Sequence, residues 1–256
     1  MRSILGLAVS LASVTAFAQP VQKDAFFNPG DRVIPQIATG GGTFFMSFQF
    51  MSLFGQAASV EVAFFDSNGL PMTVTYIQDD VEVTATTLTD TIAPGGIEFA
   101  RTKLDGDQRI GYATVASTPP GSVVVGTAFN QVIPGRPIFQ AFVPLSTSHH
   151  DRFSVPFLNR GPSTGSIAVV SRVEQDVHFA AKNNNGTVLC EDTQTFPEGQ
   201  HVAFVIRERL PCTAGIDGVL EVTGTTPALS GFGITADDQG AFVTQPVYGP
   251  ELIMLL

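Results

Sequence analysis

Residues 161 to 165 read GPSTG, the G-x-S-x-G pattern that in a nucleophile elbow lifts a serine above a sheet at a strand-to-helix turn. The stretch that follows, SIAVVSRV (166 to 173), is β-branched and alternating, so the pattern predicts a turn around Ser163 feeding a strand. All four histidines lie in the second half of the chain. His149-His150-Asp151 has metal-ligand residue types, but consecutive residues of an extended segment point to opposite sides, so the trio reads as a polar linker. The acidic groups Asp66-Ser67-Asn68-Gly69, Asp79-Asp80-Val81-Glu82 and Asp105-Gly106-Asp107 lack the further oxygen ligands at fixed offsets that a calcium loop requires. A carboxylate pair for glycoside hydrolysis is defined in space, and nothing in the spacing nominates one. The expectation is therefore a protein with no catalytic residue, no metal and no cofactor.

Cys190 and Cys212 are the only cysteines. The chain opens MRSILGLAVSLASVTAFAQP, with one basic residue, a short apolar run and small residues at Ala16 and Ala18. That is the pattern of a secretory signal peptide over 1–18, cleaved between Ala18 and Gln19. In an exported, oxidising compartment the two cysteines are expected to form a disulfide. The formal charge of −10 becomes −11 on losing Arg2, and with only three lysines the chain has no electrostatic footprint for nucleic acid. The mature chain has no apolar run long enough for a membrane span, so an extracellular, cell-surface or periplasmic location is expected. The apolar tail ELIMLL (251 to 256) is expected to pack on the fold or on a neighbouring chain.

The elements that must position any site are written twice. SVEVAFFDSNG (59 to 69) returns as QDVHFAAKNNNG, ending at Gly186, and IPQIATG (34 to 40) matches VPFLNRG (155 to 161). PGGIEFA (94 to 100) matches PEGQHVAF (197 to 204), and GYATVASTPP (111 to 120) matches GVLEVTGTTP (218 to 227). Val60, Val62 and Phe64 alternate with Glu61, Ala63 and Phe65, and Val177, Phe179 and Ala181 alternate with His178, Ala180 and Lys182, which predicts strands with one face inward. The Asn-Gly pairs supply hairpin turns. On this alignment His178 replaces Glu61 and His201 replaces Glu98, so both histidines are expected on solvated faces.

Landmarks repeated in one order predict an all-β protein of two tandem immunoglobulin-like or fibronectin-like antiparallel sandwiches, 32–148 and 149–250, after an N-terminal linker over 19–31. The turns and core positions over about Arg32 to Tyr248 resemble a family of largely uncharacterised secreted bacterial tandem β-sandwich proteins. That resemblance implies a fold and carries no catalytic residue. Thr43-Phe44-Phe45 stands where the family has a Trp soon after its three glycines.

The copies differ most between the Asn-Gly and Pro-x-Gly turns, where the alignment offset falls from 117 to 103. The excess of 14 residues lies within MTVTYIQDDVEVTATTLTD (72 to 90) and reads as an added hairpin with Tyr76, Asp79 and Asp80 near its tip. Phe65, where the sister copy has Lys182, is an outward aromatic on a neighbouring strand. Phe65, Tyr76, Asp79 and Asp80 are the candidate contact residues, either for a ligand or between the domains. The function expected is a secreted, structural or adhesive binding module for an extracellular protein or polysaccharide. The alternative is a carbohydrate-active accessory or hydrolase with its site between the sandwiches.

Overall fold

The computed structural model describes residues 32–53, 55–146, 149–245 and 247–249. The expected signal peptide with its Ala18–Gln19 site, the expected 19–31 linker and the 251–256 tail lie outside these residues. Within them the regular structure is almost entirely antiparallel strand.

The first sandwich consists of β1 (Arg32–Thr39), β2 (Phe44–Ser52), β3 (Ala58–Asp66), β4 (Val74–Gln78), β5 (Val81–Ala85), β6 (Thr87–Ile92), β7 (Ile97–Thr102), β8 (Arg109–Thr118), β9 (Val123–Gln131) and β10 (Phe139–Phe142). Sheet A runs β1-β8-β3-β6 and sheet B runs β10-β9-β2-β7-β4-β5. The second sandwich consists of β11 (Arg152–Leu158), β12 (Thr164–Ser171), β13 (Gln175–Asn183), β14 (Val188–Phe196), β15 (His201–Val205), β16 (Asp217–Gly224), β17 (Leu229–Ala236) and β18 (Phe242–Gln245). Its sheet C runs β15-β12-β17-β18 and its sheet D runs β11-β16-β13-β14. Without β4 and β5, the two sandwiches have the same strand order. In each, the first strand pairs with the strand equivalent to β8. In an immunoglobulin constant domain the first strand pairs with the second instead, so this order is distinct from the immunoglobulin one.

The alternation in sequence sets which side chains meet between the sheets. In sandwich 1, Phe48 packs edge-on against Phe64 with ring centroids 6.1 Å apart, and both lie in a core shared with Val60, Val62 and Val115. In sandwich 2, Phe179 lies over Val177, Phe196 and Val222. Each such side chain contributes about 1.5 to 3 kcal/mol by leaving water. The repeated turn also works the same way twice. Asp66 Oδ1 accepts from the amides of Asn68 and Leu70, Asn183 Oδ1 accepts from those of Asn185 and Thr187, and Gly69 and Gly186 follow at φ +76 and +78. These acceptor oxygens stabilise turns in which glycine takes the left-handed position.

Cys190 of β14 is bonded to Cys212 in the 3-10 turn Pro211–Thr213. The turn follows the short helix α1 (Ile206–Arg209). Beside it Arg209 lies 4.4 Å over the Phe179 ring and pairs with Asp192 at 2.6 Å. No helix among the described residues is long and apolar enough to cross a membrane.

Candidate functional site

The four candidate contact residues fall into three different environments. Phe65 ends β3 on the outer side of sheet A, is 2% exposed, and stacks on Tyr112 with centroids 5.1 Å apart. Val33 and Val170 complete that cluster, and because Val170 belongs to β12 the cluster joins the two sandwiches. Tyr76 corrects the expectation of a residue near the hairpin tip. It points into the sandwich 1 core, and its hydroxyl donates to the Thr87 carbonyl at 3.1 Å. The reason is pairing: β4 continues sheet B beside β7, so Tyr76, opposite Thr102, takes the inward parity of that sheet. Asp79 and Asp80 do form the tip, at φ 50 and 61 between the paired Gln78 and Val81, and both are exposed. They belong to sheet B, across the sandwich from Phe65 in sheet A, so the expected single face combining them is not built.

His201 is the second correction. In β15, Val202 and Phe204 pack on the core, which leaves His201, Ala203 and Val205 facing outward. In β7 the outward residues are Ile97, Phe99 and Arg101. His201 therefore takes the place of Ile97, one residue from the Glu98 match that the sequence gives, and a one-residue slip exchanges the faces of a strand. The outward side here is not solvated. Sheet C lays it on sandwich 1, with Ala168 and Phe232 entering the first core and His201 left 2% exposed. His178 stays half exposed, 3.8 Å from Glu191.

At the join, His201 Nε2 lies 3.0 Å from Gln36 Oε1 and Nδ1 lies 3.3 Å from Ser67 Oγ. Since the amide oxygen can only accept, the network assigns the proton to Nε2, and Ser67 donates to Nδ1. The order serine, histidine, orienting group is that of a nucleophilic relay, and sequence reading missed it because the partners are 134 and 165 positions apart. Its chemistry is different. A glutamine cannot stabilise the imidazolium that a base forms, and burial pushes His201 down to about 4, against a weaker opposite effect from the Pro35 carbonyl. Ser67, His201 and Gln36 instead satisfy one another in a dry interface, where an unpaired polar group is costly. The backbone meets there too, as His201 N donates to Ser67 O at 3.1 Å. Partial burial, with Arg172 and His150 beside it, also lowers the His149 pKa to about 4.

The turn at GPSTG leads into β12 with no helix after it, and Ser163 N closes the turn on Arg160 O at 3.1 Å. Among the described residues no three His, Cys, Asp or Glu gather as a metal site. An open cleft of about 580 Å³ does lie between the sandwiches, lined by Phe44, Phe129 and Phe232 and by the polar Gln108, Ser166 and Glu208. Glu208 is its one carboxylate, so the two-carboxylate geometry of glycoside hydrolysis is not formed there.

The other candidate surface is the outer face of sheet B. Its strand pairings place Ile97, Met51 and Val124 in one row and Phe99, Gln49 and Gly126 in the next. Phe142 of β10 leans over Gly126, its ring edge 4.0 Å from the point a Cβ would occupy there. Phe99 is 56% exposed and Phe142 57%. A groove of about 500 Å³ runs from Gln140 past Ser47, Gln49, Phe99 and Arg101 to Asp79 and Asp80. Sequence reading found the hairpin end of this groove through the length difference between the copies. It missed Phe99 and Phe142 because an isolated aromatic in a strand gives no sign of which face it occupies.

The chain matches no family model, no curated protein and no solved structure.

Proposed function

We propose that the chain is an exported, non-catalytic binding module in which sandwich 2 braces sandwich 1 and the outer face of sheet B meets the partner. One contrast carries this reading. The matching outer face of sheet C is covered, with Ala168, Val170, His201 and Phe232 all buried against sandwich 1. The face of sheet B carries Met51, Ile97, Phe99, Val124 and Phe142 exposed to solvent. An apolar sheet face is retained where something covers it, and isolated exposed apolar residues need no such account, but a patch spanning four adjacent strands does.

A continuing chain of sandwiches is disfavoured as the occupant. In sandwich 2 the position of Phe65 is Lys182, paired with Glu221 at 2.9 Å, so the surface equivalent to the interdomain contact is polar. Export is supported by the opening A-x-A pattern, by the disulfide and by the likeness of the turns to secreted bacterial tandem sandwiches.

A mixed protein and glycan array probed with the natural chain and with a Phe99→Ser, Phe142→Ser double variant tests the reading. The expected result is at least one bound feature that the double variant loses. Bound features that all survive the double substitution contradict it.

A further inference from the structure

We infer that the groove on sheet B takes a neutral glycan chain, laid across the strands between Phe99 and Phe142. This deepens the proposed function and rests on the reading that sheet B is the contact face. The groove is lined by Phe99 and by the polar Ser47, Gln49, Arg101 and Gln140, and Phe142 flanks it beside Gln49. Phe99 on β7 and Gly126, over which Phe142 leans, lie two strands apart, about 10 Å at the usual strand spacing. That separation leaves room for a short run of sugar rings. Between them lie Ser47, Gln49, Gly126 and Ala128, with Gln49 Oε1 reaching to 3.6 Å from the point a Cβ would occupy on Gly126.

The Gln140 amide is organised in advance. Asn130 donates to Ser47 Oγ at 3.0 Å and accepts from Gln140 Nε2 at 3.0 Å, which turns the Gln140 carbonyl oxygen free for another donor. Among the described residues the Gln49 side chain has no hydrogen-bond partner, and Arg101, Asp79 and Asp80 form no ion pair. The groove thus offers a guanidinium, two amides and three carboxylates side by side. A hydroxyl is both donor and acceptor and uses all of these, while the C–H face of a sugar ring covers a phenyl ring.

The same arrangement argues against a protein. Protein interfaces have an apolar centre depleted of charge and a polar rim. Here amides and charged groups line the groove around Phe99, and the apolar Met51, Ile97 and Val124 form the row outside it. An anionic polymer is disfavoured by Asp79, Asp80 and Glu98 around the one arginine of the groove, and by the net charge of −10. The preset Gln140 amide and the rigid Phe99 ring also reduce the ordering cost of binding.

Affinity electrophoresis of the full chain through gels holding soluble neutral polysaccharides, namely β-glucan, xylan, mannan and glycol chitin, is the test. At least one should retard the chain, with dissociation constants raised at least about tenfold by Phe99→Ser or Phe142→Ser. Val243→Ser, an exposed position on β18, should leave retardation unchanged, and melting curves of the variants should match the natural chain. Retardation by none of the four, or retardation indifferent to Phe99 and Phe142, overturns the glycan. If none retards the chain while an array protein loses its signal in the double variant, the glycan falls and the contact face stands. If no array feature depends on Phe99 and Phe142 either, both fall.

Discussion

Acid should loosen the join between the sandwiches through His201, by an amount set by how deeply the ring is buried. In the folded chain its pKa lies at about 4, against 6.5 when exposed, chiefly because burial disfavours the charged form. Above about pH 7 both states are neutral and the group has no effect. Between 6.5 and 4 the unfolded chain takes up the proton and the folded chain does not, so stability falls as pH falls, by about 1.4 kcal/mol per unit. Below about 4 both states are protonated and the loss levels off. Integrated to pH 4.5, the loss is about 2.5 kcal/mol. The perturbation is His201→Gln, which keeps an amide able to reach Ser67 and Gln36 and removes the titration. Urea unfolding at pH 7.5 and 4.5 should show the natural chain losing about 2.5 kcal/mol more than the variant across that interval. His149 and the carboxylates titrate in both proteins and cancel in the difference. Equal losses in the two proteins would refute the reasoning, because the imidazole would then accept its proton in place.

Phe65→Lys puts an ammonium where a 2%-exposed ring stacks on Tyr112 and should cost about 3 to 5 kcal/mol, read as a lowered calorimetric transition; a loss below about 1 kcal/mol contradicts the interdomain cluster. Gly69→Ala should cost about 1 to 3 kcal/mol by urea unfolding, since φ is +76 and the new Cβ would stand 2.8 Å from the Gly199 carbonyl oxygen across the join. An unchanged midpoint contradicts that close approach. Reducing Cys190–Cys212, which closes a separation of 22 residues, should destabilise sandwich 2 by about 3 kcal/mol, seen as a separate earlier unfolding step under reductant; coincident transitions contradict it.

The strands and their turns were legible because they rest on local rules. Val60, Val62 and Phe64 alternate as one buried face must, and Asn68-Gly69 supplies the left-handed residue of its turn. The extra hairpin was visible as a length difference, and β4 and β5 occupy it. What local rules do not carry is which sheet an inserted hairpin joins. Tyr76 faces the core because β4 pairs with β7, a choice made by a neighbour more than twenty positions away. His201 was misplaced by one residue for a similar reason. The extra residue in PEGQHVAF relative to PGGIEFA shifts the strand parity, and no sequence signal tells a solvated outward face from one covered by a second domain. The sheet B groove draws Gln49, Ile77, Phe99 and Gln140 from four strands, and only the strand pairing brings them together.

The central claim, that the outer face of sheet B is where this chain meets its partner, is tested most directly by amide chemical-shift mapping with the strongest binder from the array. The account predicts perturbed amides confined to 45–51, 97–101, 124–130 and 139–142 together with the 78–81 turn, the sheet B strands that border the groove. Perturbations centred instead on Ile110, Ser166 and Val205, in the cleft between the sandwiches, would contradict it.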